Sequence, residues 1–263
     1  MAQSDKMLAE KRGRIGIMTF NNPEKLNAVS FEMWEAGWAI LEDFRQDEAI
    51  RVVVITGAGG RSFVSGADIS KFADERATRE AVAKYNAAVE QIYAGIHAFP
   101  KPTIAMIRGY CVGGGIGLAA SCDMRFCNTG ARFSLPAAKL GLGYGFNGVK
   151  RLADIVGPAF TKDIFFTARQ FDAEEALRVG YVNRIVADEE LESVVMGTAE
   201  TIAGNAPLTV GSVKFIVNQT TRDAGERDME KCKALVQGCF ESQDYIEGRQ
   251  AFMAKRKPAF QGR

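Results

Sequence analysis

Arg108-Gly109-Tyr110-Cys111-Val112-Gly113-Gly114-Gly115-Ile116-Gly117-Leu118 is the stretch on which the reading of this chain turns. It follows the apolar run at 103–108 (TIAMIR), the mark of a strand buried on both faces, and leads into a helical pattern that lasts through Ala120. Three successive glycines opening a helix let the backbone approach a ligand closely, with amide hydrogens aimed outward and the helix dipole behind them. Such amides hold a phosphate or a developing oxyanion. The nucleotide version fits poorly. GxGxxG starting at Gly113 needs its last glycine one residue after Gly117, and GxxxxGK[ST] does not occur. On their own, these glycines are equally explained by close packing of a helix on a strand.

The same order appears upstream: an apolar run at 52–56 (VVVIT), a glycine-rich loop from Gly57 to Gly66, then a helical pattern at 76–98. Before it, residues 13–20 alternate as a strand, Asn21-Asn22-Pro23 makes a turn, and Ser30 stands as N-cap of a helix to about Arg45. After residue 146 the pattern is mostly helical, at 147–155, 158–167, 172–179, 188–204, 207–221 and 224–252, with a short strand at 182–186. This predicts an α/β fold with ligand loops at the C-terminal ends of its strands. The division expected is a core over 1–200 and a helical region over 201–263 whose apolar stripes need a partner.

Composition removes many alternatives. A net charge of +1 over 263 residues provides no field to attract nucleic acid or a membrane surface. Five scattered cysteines without CxxC read as reduced thiols, and the polar opening and lack of a long apolar span predict a cytoplasmic protein. A single histidine, His97, forbids a multi-histidine metal site and is read as structural or surface. No metal is expected.

The ordered combination of motifs says more than either loop. Asn22-Pro23-Glu24-Lys25-Leu26-Asn27-Ala28-Val29, Phe63-Val64-Ser65-Gly66-Ala67-Asp68-Ile69 and Gly113-Gly114-Gly115 with Ser121-Cys122-Asp123 come first. Phe133-Ser134-Leu135-Pro136, Phe166-Thr167-Ala168, the run at 173–182 and Phe252-Met253-Ala254-Lys255-Arg256-Lys257-Pro258 follow. From about residue 12 to 260 the chain resembles the crotonase (enoyl-CoA hydratase/isomerase) superfamily. The resemblance implies a spiral of ββα turns, C-terminal helices used for trimerisation, a homotrimer or hexamer, and an acyl-CoA substrate, with coenzyme A as its only cofactor-like part. It places an oxyanion hole at the N–H groups of Ala67 and Gly114. It implies coenzyme A contacts from Lys25, Leu26, Arg61, Ser65, Ala67, Asp68 and Ile69, and from Lys255 of a neighbouring subunit. The residues alone read Asp68 as a structural cap.

The chain departs from the family where hydratases carry two glutamates, which correspond here to Gly117 and Ala137. Neither can move a proton, and each missing group forfeits a factor of about 10²–10⁴. Tyr144 falls where the methylmalonyl-CoA decarboxylase branch has a tyrosine, although that branch has a histidine at the position of Ala67 and a glutamate at that of Gly117. Asp74, Glu75, Glu80 or Glu90, a bound anion or water beside Gly117, and more weakly Lys139 and Cys111 are the other candidates. Three readings follow: a hydratase or isomerase, a thioester decarboxylase using Tyr144, or an inactive coenzyme-A-binding homologue. The RNA-binding branch has a lysine-rich helix that 76–98 lacks, with Arg76, Arg79 and Lys84 as its cations.

Overall fold

The computed structural model describes residues 4–71 and 77–263. An antiparallel pair, β1 (Met7–Arg12) and β2 (Ile15–Phe20), leads into α1 (Phe31–Gln46). From there each pair of consecutive strands divides between two sheets. β3 (Val52–Gly57) is followed by β4 (Ser62–Val64), β5 (Thr103–Ile107) by β6 (Tyr110–Val112), and β7 (Met124–Asn128) by β8 (Arg132–Ser134). One sheet runs β1-β2-β3-β5-β7-β10 and the other β4-β6-β8-β9, with β9 at Gln170–Asp172 and β10 at Arg184–Val186. Helices complete the turns: α2 (Arg79–His97), α3 (Gly114–Ser121), and α4 (Ala137–Leu140) with α5 (Phe146–Thr167). The chain is therefore a spiral of ββα turns.

Alternation along the strands explains why residues 52–55 are apolar without a break. Ile15, Ile17, Val52, Val54 and Ile104 face α7 (Leu191–Gly204), against Leu191, Val195 and Ala199. Met18, Val53, Ile55 and Ala105 point the opposite way, into the larger core shared with Phe44, Phe63 and Phe133. Successive residues thus serve two cores, as period-2 geometry requires.

The glycine loops are not bare loops. Each contains a three-residue strand, β4 or β6, and these two pair in parallel. Strands this short carry no readable periodicity, and β8 and β9 escape the sequence for the same reason. β1 escapes it because five of its six residues are exposed. The predicted gap at 156–157 is a kink inside α5, where Gly157 takes φ 76° ahead of Pro158. The helix expected over 224–252 is two, α9 (Met229–Glu241) and α10 (Gln243–Met253), after α6 (Ala173–Arg178) and α8 (Pro207–Thr220). Ser242 breaks them with an extended backbone, and its hydroxyl accepts from Tyr245 N. Ser30 precedes α1 as predicted, but its hydroxyl makes no capping bond. The expected division at residue 200 falls inside α7.

β4 and α3 meet at Gly115. A Cβ on Gly115 would lie 2.2 Å from Val64 O, a backbone atom that cannot swing aside. Gly115→Ala is expected to cost about 3 kcal/mol in urea unfolding. Gly148→Ala on α5, where a Cβ meets nothing within 4 Å, should be neutral or slightly stabilising.

Candidate active site

The first half of the site is built around Asn27. It is fully buried and left-handed at φ 56°, a conformation asparagine tolerates better than most residues. Its amide donates to Ala58 O at 2.9 Å and Ser62 O at 2.7 Å, and its carbonyl accepts from Asn22 N. This ties the loop after β2 to both ends of the first glycine loop. Val29 then brackets Ala67: Val29 N donates to Gly66 O at 2.8 Å, and Asp68 N donates to Val29 O at 2.9 Å. A parallel bridge of this kind turns Ala67 N–H away from Val29, to the edge where β6 and the start of α3 lie. Among the described residues, that N–H has no carbonyl partner.

The second half is the N-terminus of α3. Gly113 N donates to Ser134 O, and Gly113 O accepts from Ile116 N at 3.1 Å. Gly114 is the first helical residue, where an N–H has no partner within the helix, and none is found for it among the described residues. A Cβ on Gly66 would lie 3.9 Å from Gly114 N, and one on Gly114 would lie 3.8 Å from Gly66 Cα. Gly66 at φ 106° and Gly113 at φ 54° are the glycine-only turns that permit this approach. Buried Arg125 holds the other end of α3, donating to Cys122 O and Ala119 O. The structure thus brings Ala67 and Gly114 to one place with their amides unspent.

Gly117 opens onto an aromatic ring. A Cβ there would lie 2.7 Å from Cε2 of Tyr93 and 3.2 Å from its hydroxyl oxygen. Tyr93, on α2, is buried, stands edge-on to Trp34 and donates its hydroxyl to Gly114 O at 2.5 Å. Burial pushes its phenol well above the usual tyrosine range, with the nearby Tyr144 phenol adding to the shift. The space a longer side chain at 117 would need is therefore taken by Tyr93, which nothing in the local sequence singles out. Its helical spacing reads as core, and only the missing side chain at Gly117 could have pointed to it. Ala137 is buried at the start of α4. Tyr144 lies between α4 and α5, partly exposed, with its ring against Phe165.

The other candidates lie elsewhere or are spent. Asp74, Glu75 and Arg76 fall outside the described residues. Glu80 is exposed in the first turn of α2, and Glu90 is held bidentate by Arg151 at 2.6 and 3.1 Å with Asn147 alongside. Lys139 is exposed on α4, and burial drives the Cys111 thiol well above its usual value. His97 closes α2, with its ring held below its ordinary value by burial.

Lys25 does not project freely. Its ammonium pairs with Asp68 at 2.9 Å and donates to Ser70 Oγ at 2.7 Å, while the Lys25 carbonyl accepts from Ser65 Oγ at 3.4 Å. Leu26 sits beside it at φ 52°; Ile69 is exposed next to Asp68, and Arg61 is exposed in the first loop. Asp68 accepts from the backbone and hydroxyl of Ser70, capping the turn at Ile69–Lys71. Lys255 is exposed just after α10, in a left-handed turn at the far end of the chain. Lys25, Leu26, Ser65, Asp68 and Ile69 thus gather beside Ala67, and among the described residues no hydrogen bond or ion pair joins Lys255 to them.

Comparison with known proteins assigns the chain to a family. The enoyl-CoA hydratase/isomerase family matches residues 10–263. The chain belongs to that family. It is 33% identical over 253 residues to a short-chain-enoyl-CoA hydratase of Clostridium acetobutylicum, covering 96% of both chains. It is 35% identical over 268 residues to a carnitinyl-CoA dehydratase of Escherichia coli, covering 99% of this chain and all of that one. A solved enoyl-CoA hydratase/carnithine racemase from Magnetospirillum magneticum superposes with a TM-score of 0.92 at 32% identity, covering 99% and 97% of the two chains. The spiral is thus the crotonase spiral, and membership carries with it enzymatic processing of acyl-CoA thioesters. No helix among the described residues is long and apolar enough to cross a membrane.

The Asp68 cluster has a pH signature. Burial raises its carboxyl pKa, but the bonds from Ser70 and Lys25 outweigh that and hold it below its ordinary 3.8. Its stabilisation is complete above about pH 4 and is lost as the pH falls through the lowered folded-state value. Urea midpoints at about pH 5 and about pH 3 should fall further for the wild type than for Asp68→Asn. Equal falls would mean the cluster contributes nothing.

Proposed function

We propose that this protein stabilises the enolate of an acyl-CoA thioester between the N–H groups of Ala67 and Gly114, in a reaction of the enoyl-CoA hydratase/isomerase type. The observation that carries this reading is the meeting of two unspent amides, from separate turns of the spiral, at Gly66. When charge moves onto the thioester carbonyl, both amides shorten toward the oxygen, and each such donor is worth about 2.7–4 kcal/mol of barrier. The dipole of α3 adds to the same field. Lys25, Leu26, Ser65, Asp68 and Ile69 lie where they can border the adenine end of coenzyme A, and Arg61 can reach a phosphate. Lys255 contributes from a neighbouring subunit in a trimer or hexamer, whose contacts would cover exposed apolar residues such as Phe240, Phe252 and Met253.

A second reading is favoured by Gly117 and Ala137. Hydration needs a group to activate water and another to protonate Cα, and neither position provides one. Decarboxylation needs less: the bond from Cα to the leaving carboxylate breaks, its electron pair enters the carbonyl as enolate, and carbon dioxide departs. Cα then takes one proton, for which Tyr144 is the candidate donor.

The test is mass spectrometry of the purified protein with saturated, enoyl, malonyl-type and aromatic acyl-CoA thioesters in deuterated water. Water gain on an enoyl thioester, or deuterium at Cα without loss of carbon dioxide, supports the first reading. Loss of carbon dioxide that falls in Tyr144→Phe supports the second. Binding without turnover identifies an inactive homologue. Gly114→Pro replaces the amide hydrogen with a ring carbon at a helix position that accepts proline, and should lower turnover by about 10²–10³ or more. Gly114→Ala, which keeps the amide, separates this effect from steric damage.

A further inference from the structure

Two tyrosines on α2, Tyr85 and Tyr93, each reach one half of the amide pair. Tyr85 donates its hydroxyl to Val29 O at 3.3 Å and accepts from Trp34 Nε1 at 3.0 Å. Val29 is the residue that grips Gly66 and Asp68 on either side of Ala67. Tyr93 donates to Gly114 O at 2.5 Å, and its hydroxyl oxygen lies 3.3 Å from where a Cβ on Gly114 would stand. Trp34 fills the space between them, edge-on to Tyr93 at 5.7 Å and 3.9 Å from that same Cβ position. All three aromatic rings are buried.

We propose that Tyr93 and Tyr85 are positioning residues that set the separation and aim of the Ala67 and Gly114 amides, and that Gly117 is glycine so that the Tyr93 ring can reach Gly114. The inference rests on the thioester reading of the site and deepens it. The two loops come from different turns of the spiral and share no backbone hydrogen bond at Gly66 and Gly114 among the described residues. A single rigid helix that touches both is a physical means of holding them to the fraction of an ångström that charge stabilisation demands. The Tyr93 phenol stays protonated and remains a donor. Arg151 stands over its ring at 5.8 Å, tied by Glu90 of the same helix, so α2 is anchored to α5 at this level. Gly117 completes the coupling, because any Cβ there collides with the ring rather than with solvent.

The experiment reads carbonyl polarisation directly. Butanoyl-CoA carrying carbon-13 at its carbonyl is bound to the wild type, Tyr93→Phe, Tyr85→Phe and Gly117→Ala, and its infrared carbonyl band is compared with that of the free thioester. In the wild type the band should move to lower frequency. Tyr93→Phe should lose most of that shift while binding the thioester with similar affinity, and Gly117→Ala should behave alike. Tyr93→Phe combined with Gly117→Ala should lose no more than either single change, since both act on one contact. Turnover on whichever thioester reacts should fall about tenfold in kcat with little change in KM, as expected for loss of one hydrogen bond that matters in the transition state. A wild-type shift retained in full by Tyr93→Phe overturns this inference and leaves the thioester reading standing. No shift or no binding in the wild type overturns both. Tyr93→Phe removes one atom and is expected to fold, so the result does not depend on Gly117→Ala being stable.

Discussion

The contact on which this structure depends is the close approach of β4 to the start of α3. The Val64 carbonyl lies so near Gly115 that no side chain fits there, and Gly66 and Gly114 follow within about one residue's width. Neither strand nor helix is long: β4 has three residues and α3 has eight. Their placement comes from the larger turns of the spiral. β3 and β5 pair in the first sheet, and β4 and β6, which follow them after short loops, pair in the second. A register set by Val, Ile and Ala side chains in two cores is thereby passed to two short loops on the molecule's working edge.

That arrangement leaves backbone amides available where a protein ordinarily spends them. Ala67 and Gly114 are half-buried, and two neighbouring N–H groups there without a carbonyl partner among the described residues offer a place for another acceptor. The surrounding polar groups are closed onto one another. Asn27 spends its amide on two carbonyls, Asp68 on Ser70 and Lys25, and Glu90 on Arg151. A site whose side chains are committed and whose main chain is free has an acceptor-binding character that survives the loss of carboxylates at 117 and 137.

Those two positions also show why family membership and reaction are separate questions. The fold and the meeting of the loops persist with Gly117 and Ala137, because the close approach of β4 to α3 runs through Gly115 and Gly66 and needs no side chain at either position. The chemistry does depend on them. With Tyr93 occupying the volume beside Gly117, a longer side chain at that position has no room unless the ring moves.

Much of this was readable in the amino-acid order. The apolar runs at 52–56 and 103–108 declare strands buried on both faces, and the glycines that follow them mark where backbone must come close. The motif order from Asn22 to Pro258 carries the family resemblance that singles out Ala67 and Gly114. These features are local, set by side-chain size and by which backbone angles a residue tolerates. The three-residue strands, the break at Ser242 and the partners of Lys25 were not readable, since each depends on neighbours far along the chain. Tyr93 is the clearest case. In sequence it is one more apolar residue on a helical stripe, 24 residues before Gly117. Only the packing of α2 across α3 turns its hydroxyl onto Gly114 and its ring onto the space Gly117 leaves, because that contact belongs to two turns of the spiral and to neither alone.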